Sequence, residues 1–543
     1  MKTKSLTRFL LSICLMLVFS MAPIAVSSQG LHIPGVQAPV QPLGANGDGF
    51  ADLAIGIPGR DYATHDGAGM VGVVYGASPR LDYDSSQTFD QSTTGIADTP
   101  EYNDHFGQAL AGGDFNGDGY LDLAIGVPDE TISGIGSAGC VAILFGSNSG
   151  YSGPNSQFIQ QSHLSPNIAE YGDRFGAALA SGDFNRDGYD DLAIGVPGQD
   201  FPSVESAGRV NVVYGAPGGL STVGWYPVTQ GVYILELPEE ADNFGSVLAA
   251  GDFDGDGYHD LAIGVPDEDM LVGVDTLTDA GVVQVVHGSA DGISTDGDVL
   301  LYQGYDGLQD QPENNDKFGS SLAAGDYDGN GRDDLAIGVP FENFSVTDDG
   351  IAHILWGGIN GITTDLDRLV SQGAIPGQAN AANELFGWAL AAGNFNGDDN
   401  DDLAIGVPGQ DVSGNDQAGS IHILYGSFSS FASALTADNA YPAAEDMFGF
   451  SLAAGNINGS YFDDLVVGMP YFNSGIKDDM GILSTMYSDQ DGIDTSWQWV
   501  GDLYQISAGV MNGLEDDLFA YSLVVLDEHH WLYKYVYLPL VRK

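Results

Sequence analysis

The chain is 543 residues long and carries 75 acidic residues against 15 basic ones, for a formal charge of -60. Such a field repels a nucleic-acid backbone or an anionic bilayer at moderate salt, which excludes both as expected partners and favours divalent cations and cationic surfaces. Solubility alone accounts for many of these charges. An apolar fraction of 43% is ample for a core, while 77 glycines point to many turns rather than long helices.

At the N-terminus, Lys2, Lys4 and Arg8 precede an apolar run from Phe9 to Met21 and small residues from Ala25 to Ser28. This pattern predicts a secretory leader over 1–28 and therefore a secreted or cell-surface protein. The apolar run is short for a membrane span, an uncleaved anchor being the alternative, and no later segment approaches spanning length. Cys14 lies in the leader, so Cys140 has no partner for an intramolecular disulfide once the leader is removed. Bound metal is the expected substitute. Residues 29–43 are proline-rich and aperiodic, and read as a linker.

From residue 44 a unit of the form GDFDGDGYHDLAIGVP, best preserved at Gly251 to Pro266, returns seven times. Its acidic loops start at Gly44, Asp114, Asp183, Asp252, Asp326, Asn394 and Asn456, with successive differences of 70, 69, 69, 74, 68 and 62 residues. Each unit holds four strand-like runs separated by Gly, Asp, Asn or Pro; in the second they are FGQALAGGDF, LDLAIGVP, GCVAILFG and NSQFIQQ. Four short strands repeated radially, with no helical pattern between them, predict an all-β fold, a seven-bladed β-propeller over 44–527. The first unit lacks the opening strand, and Phe519 to Asp527 (FAYSLVVLD) matches it. Pairing the two termini within blade one would remove two open sheet edges. The tail 528–543 is aromatic and partly basic; an added strand, an attachment signal and a fraying end all remain open for it.

A calcium loop presents oxygen ligands at alternating positions around a glycine-permitted turn. The second loop offers Asp114, Asn116, Asp118 and Asp122, with the backbone carbonyl of Tyr120 as a fifth donor. Its counterparts are Asp183, Asn185, Asp187, Tyr189 and Asp191 in the third loop, and Asp252, Asp254, Asp256, Tyr258 and Asp260 in the fourth. The fifth has Asp326, Asp328, Asn330, Arg332 and Asp334. The sixth has Asn394, Asn396, Asp398, Asn400 and Asp402, a weaker site because Asp399 replaces glycine. The seventh, Asn456, Asn458, Ser460 and Asp464, has too little charge and reads as a hydrogen-bonded turn. The first has Asn46, Asp48 and Asp52, and Asp527 could complete it from the other terminus or simply begin a solvated turn. Five to six Ca2+ sites are thus expected. The competing reading of each loop is a metal-free Asp/Asn/Gly turn. A strand follows where an EF-hand needs a helix, and that loop's terminal Glu is missing, so the EF-hand is excluded.

Six Phe-Gly pairs from Phe106-Gly107 to Phe448-Gly449, the DxDxDG loops and the GVP triplets together resemble FG-GAP repeats, the repeats of the integrin alpha-subunit propeller. The resemblance implies a seven-bladed propeller with calcium loops between first and second strands on one face and partner binding on the opposite face. No leg domain, transmembrane helix or disulfide follows the repeats, so the expectation is a free-standing exported relative, a monomer, rather than an integrin subunit.

The loops after GVP and before FG vary in length and carry acidic residues such as Asp129, Glu130, Asp267, Glu268 and Glu342, an acidic rim that reads equally as a partner surface or a solvated one. There is no GxSxG, HExxH or phosphate loop, and His353 and His422 share a third-strand slot rather than a catalytic constellation. The expected function is adhesion or binding of an extracellular protein or glycan. The alternative is an extracellular, phospholipase-like hydrolase that uses the same loops.

Overall fold

Runs of the type DLAIGV are apolar at almost every position, and a strand of that kind needs cover on both of its faces. A propeller supplies it, because each sheet is sandwiched between its two neighbours. The computed structural model describes residues 44–500 and 520–526, apart from positions 64, 167, 232–236, 273, 399, 428–430, 432, 440–441, 473–480 and 491. The leader, the linker, Asp399, Asp527 and the tail lie outside the described residues.

Seven four-stranded antiparallel sheets form the blades. In blade two the strands Leu110–Gly113, Asp122–Val127, Cys140–Leu144 and Gln157–Ile159 pair in chain order, and the other blades repeat this meander. Blade one is assembled from both ends of the repeat region. Its innermost strand is Ser522–Leu526, which pairs antiparallel with Asp52–Ile57, Asp52 opposite Leu526 and Gly56 opposite Ser522. The innermost strands touch one another in cyclic order all the way round, with Ser522–Leu526 meeting both Ser451–Gly455 and Leu110–Gly113. The ring is closed by the strand that FAYSLVVLD predicts.

The composition of each motif follows from this geometry. Near the axis the strands converge, and only small residues fit: a Cβ on Gly325 would stand 2.9 Å from the Ala392 Cβ. One strand further out, the glycine of GVP meets the glycine of the next blade's FG pair. A Cβ on Gly126 would lie 2.1 Å from the Gly176 carbonyl oxygen, well inside van der Waals contact. The FG phenylalanines, Phe106, Phe175, Phe244, Phe318, Phe386 and Phe448, are buried beside this contact. Each contributes about 2 to 3 kcal/mol of apolar burial.

Two features depart from the repeat. A hairpin of Met270–Val272 and Asp275–Leu277 rises from the loop between the second and third strands of blade four. A single helical turn, Gln161–Leu164, follows blade two, where the pattern carries no helix. Among the described residues no helix is long and apolar enough to cross a membrane.

In an antiparallel meander, turns between strands one and two emerge at one end of the blade, and the loops that follow strand two or precede strand one emerge at the other. The acidic loops therefore share one face. The loops after GVP and before FG share the opposite one.

Candidate functional site

Each acidic loop is built from its aspartates inward. In the fourth, Asp252 accepts the N–H groups of Gly255, Asp256 and Gly257 at 2.8 to 3.1 Å, Asp254 accepts that of Asp256 at 2.9 Å, and Asp256 accepts that of Tyr258 at 2.9 Å. The same bonds recur from Asp114, Asp183 and Asp326 to the N–H groups four and five residues on. In the sixth loop Asn394 accepts from Gly397 at 2.6 Å, Asn396 from Asp398 at 2.9 Å and Asp398 from Asn400 at 3.1 Å. In the first, Asn46 and Asp48 bond each other, 2.8 Å between side chains. The seventh is held together by bonds of Asn458 to Asp464 and of Ser460 to Asn458.

The structure gathers three carboxylates in two of these loops. Asp252, Asp254 and Asp256 each offer an oxygen within 4.8 Å of the others, and so do Asp326, Asp328 and Asp334. No comparable trio forms among the described Asp residues of the first, second, third and sixth loops. The reason is composition: the first, second, third and sixth loops carry Asn46, Asn116, Asn185 and Asn396 where the fourth and fifth have Asp254 and Asp328, whereas the last aspartate of every set, Asp334 included, bonds into the blade. Asp122 accepts the N–H of Phe115 at 3.1 Å and that of Gly146, beyond the third strand, at 2.9 Å. Asp52, Asp191, Asp260, Asp334 and Asp402 repeat the second bond with Gly76, Gly215, Gly288, Gly357 and Gly426. These aspartates are almost fully buried and tie strands two and three to the loop.

Burial pushes the Asp122 and Asp191 carboxyls up to about 9, and Asp334 and Asp402 up to about 8, with neighbouring loop carboxylates adding to the rise and the glycine N–H bonds opposing it. Asp52 rises to about 7 for the same first reason. Such groups hold a proton at neutral pH unless a counter-charge arrives. An all-oxygen donor set with uncompensated negative charge fits a hard divalent cation.

Side chains at the seventh loop position serve another purpose, leaving only their carbonyls as donors. Each leans on the preceding loop: Tyr189 against Gly117, Tyr258 against Arg186, Arg332 against Gly255 and Asn400 against Gly329. A second clamp is invisible in the repeat read alone. Asp190, Asp333, Asp401 and Asp463, the first members of the DD doublets, accept the N–H of the first residue of the preceding loop at 2.7 to 3.1 Å. The doublet itself is the signal that could have revealed it. Another is the aromatic or aliphatic second loop residue, Phe115, Phe184, Phe253, Tyr327, Phe395 or Ile457, which is fully buried.

On the opposite face the expected acidic rim is partly internal. Glu130, Glu268 and Glu342 are 0 to 2% exposed rather than solvated. Each accepts a glutamine from the previous blade, with Gln230 reaching Glu268 at 2.7 Å and Gln303 reaching Glu342 at 2.5 Å. Asp129 pairs with His105 at 2.8 Å and with Arg174 at 3.1 Å, and Lys317 pairs with Asp267 at 2.5 Å and Asp279 at 3.3 Å. A cavity of about 390 Å³ opens here across blades three to five, lined by Arg174, Ser206, Asn243, Ser246, Lys317 and Phe341 among others. Two of the chain's few cationic side chains thus face one cavity. The hairpin of blade four places Leu271 and Val274 on the same face, 74% and 93% exposed. His353 and His422 are both buried inside their blades, against Phe318 and Phe386, with Nδ1 of His353 bonded to Asp367 at 2.9 Å and Nδ1 of His422 to Thr436 at 2.9 Å.

The FG-GAP repeat family matches residues 106–144, 175–224, 244–286, 318–355 and 386–424, the cores of blades two to six. The chain carries FG-GAP repeats and is similar to integrin alpha chains: it is 33% identical to integrin alpha-5 of Xenopus laevis over 250 residues, 44% of this chain and 20% of that one. It is also 36% identical over 186 residues to phosphatidylinositol-glycan-specific phospholipase D of Bos taurus, covering 34% of this chain and 21% of the phospholipase. The chain therefore spans about a fifth of the length of these relatives. A solved structure, exotype rhamnogalacturonan lyase YesX, aligns with 90% of this chain and 85% of its own at 12% identity and a TM-score of 0.37.

Proposed function

We propose that the chain is an exported, calcium-stabilised propeller that binds an extracellular protein or glycan through the face opposite its acidic loops. The observation that carries this reading is the division between the two faces. One is a ring of near-identical loops clamped to each other, a poor place for specificity. The other presents the cavity with Arg174 and Lys317, and the hairpin with Leu271 and Val274, on a scaffold closed into a ring. Variable loops on a rigid scaffold are where recognition normally resides. The similarity to integrin alpha chains supports adhesion or ligand binding, and the N-terminal pattern of Lys2 to Ser28 supports export.

Calcium is assigned first to the fourth and fifth loops, where three carboxylates converge, and then to the second, third, sixth and first, which keep the donor spacing. When bound, the ion would supply the counter-charge that the buried aspartates lack. Asp252, Asp254 and Asp256, or Asp326, Asp328 and Asp334, would hold it. Asp260 and the other strand-leading aspartates, Asp334 in addition to its place in the trio, would hold the loop against its blade.

The second reading is an extracellular hydrolase, favoured by the similarity to a phospholipase. Purified protein applied to a glycan and extracellular-protein array, beside a broad lipase and glycosidase panel, separates the two. Binding that is lost in Arg174→Ala or Lys317→Ala without turnover supports the adhesion module. Turnover of any panel substrate that survives repurification overturns it.

A further inference from the structure

The face opposite the acidic loops carries two further carboxylate trios that the repeat motif does not announce. Glu101, Asp104 and Glu130 offer oxygens within 4.8 Å of one another where blade one hands over to blade two. Glu313, Asp316 and Glu342 do the same between blades four and five. In both, two members are buried and the first, Glu101 or Glu313, is exposed. Both start from an E-x-N-D-x-F-G stretch, EYNDHFG and ENNDKFG, so that the FG pair itself fixes the aspartate. Asp104 and Asp316 accept the N–H of Glu101 and Glu313, each at 2.5 Å.

A buried amide oxygen stands beside each trio. Gln91 is 4% exposed and donates its Nε2 to Glu130, while Gln303, 1% exposed, donates to Glu342. As at the other glutamine junctions, Gln161, Gln230 and Gln372, the Oε1 atoms of both glutamines have no hydrogen-bond partner; beside them Oε1 of Glu130 and Oδ1 of Asp316 lack one as well. Shutting such oxygens away from water without a donor is destabilising. Among the described residues none of the six carboxylates forms an ion pair with Lys or Arg.

The link between blades does not explain the glutamates. In blades two-to-three and five-to-six the same bond is made between two neutral side chains, Gln161 with Gln199 at 3.1 Å and Gln372 with Gln410. Glutamine is therefore sufficient for the structural contact. Glutamate at 130 and 342 adds only charge, and adds it where two other carboxylates already converge.

We propose that these two trios are divalent-cation sites, separate from the acidic loops and on the opposite face. The donors are all oxygen, three carboxylates with an amide oxygen at hand, so the ion is hard: Ca2+, Mn2+ or Mg2+. It would bridge a loop from one blade to the next beside the surface assigned to ligand binding. The assignment stands independently of calcium in the acidic loops.

The test is equilibrium dialysis of the full chain, stripped with chelator, against radiocalcium and separately against Mn2+ at neutral pH. Glu130→Gln with Glu342→Gln installs the residue that blades three and six already carry, so folding is preserved and circular dichroism checks it. The expected result is the loss of two bound ions per chain with at least one of the two cations. Asp254→Asn with Asp328→Asn, on the other face, should leave those two ions in place. Exposed Glu101→Ala with Glu313→Ala should weaken the same two ions by about tenfold. An unchanged count of both cations in the Glu130→Gln, Glu342→Gln protein overturns the proposal and leaves protons, not metal, as the counter-charge.

Discussion

Replacing Asp254 and Asp328 together by asparagine isolates the electrostatic role of the fourth and fifth acidic loops. Asp254 accepts only the Asp256 N–H, at 2.9 Å, and Asp328 only the Asn330 N–H, at 3.1 Å. An asparagine oxygen can accept both bonds, so the turn survives while one charge leaves each trio. In chelator the variant should be as stable as the parent or slightly more so, because repulsion within each trio is relieved. At about 1 mM calcium, a site with a dissociation constant of about 10 to 100 μM stabilises the fold by about 1.4 to 2.7 kcal/mol, so two sites contribute about 3 to 5 kcal/mol. For a body of this size, with an unfolding entropy of about 2 cal/mol/K per residue, each kcal/mol moves the melting midpoint by about 1 °C. The parent should therefore gain about 3 to 5 °C from these two loops, and the variant only a fraction of it. Differential scanning calorimetry with and without calcium measures both. If calcium raises the two midpoints equally, the loops are metal-free turns and the reasoning from converging carboxylates fails.

Three other outcomes follow from contacts elsewhere. Gly126→Ala drives a methyl to 2.1 Å from the Gly176 carbonyl oxygen and should destabilise the protein by about 3 kcal/mol, read by urea denaturation; a loss below about 0.5 kcal/mol would mean that neighbouring blades are not packed this tightly. Ala520 occupies the place of the FG glycine at the ring closure with φ of 60°, and its carbonyl oxygen lies 2.5 Å from a Cβ built on Gly468. Ala520→Gly should raise stability by about 1 kcal/mol in the same assay, and a decrease would contradict the left-handed backbone there. Burial pushes the His422 imidazole down to about 4, with Nδ1 bonded to Thr436 at 2.9 Å. Its neutral form is favoured by folding, so its contribution is whole above the unfolded value near 6.5 and falls by about 3 kcal/mol as pH drops from there to about 4. Stability of the parent relative to His422→Gln, followed across that window, should decline with acidity; a flat difference would place His422 in water.

The repeat, the blade count and the closing strand were legible because each depends on spacing and on small or aromatic residues that one unit displays by itself. FAYSLVVLD matches FGQALAGGD as a strand, and that match is enough to place Ser522–Leu526 against Asp52–Ile57. The alternating oxygens of the acidic loops were legible for the same reason. Which oxygens converge was not, because it depends on where each carboxylate turns. Asp122 and its equivalents are each tied to an N–H beyond the third strand, some 24 residues later in the chain for Gly146, and among the described ones only Asp334 also meets two other carboxylates of its loop. The buried state of Glu130 and Glu342 was equally hidden, since their covering glutamines belong to the preceding repeat. The roles of Asp190 and Asp333 were hidden in the same way, since the N–H groups they accept belong to the preceding loop. In each case the missing quantity is a contact between repeats, which periodicity within one repeat does not encode.

That distinction explains how one protein can keep a near-invariant face and a variable one. Every acidic loop is pinned to the loop before it by an N–H to carbonyl bond, running from Asp190 to Asp114, His259 to Asp183, Asp333 to Asp252, Asp401 to Asp326 and Asp463 to Asn394, and closing through Ala51 to Asn456 and Leu121 to Gly44. A change in any one loop alters two interfaces, so this face has little freedom to diversify. The loops after GVP are joined to the next blade too, by backbone bonds such as Gly172 to Gly136 and Ala241 to Glu205 and by the ion pairs of Arg174 and Lys317, but they differ in length and content from blade to blade. The hairpin Met270–Val272 and Asp275–Leu277 shows what that freedom permits: an insertion of several residues leaves the register of blade four intact, with Val282–His287 still paired to Asp260–Val265. A ring that places its sequence constraint on one face can therefore vary the loops of the other without refolding.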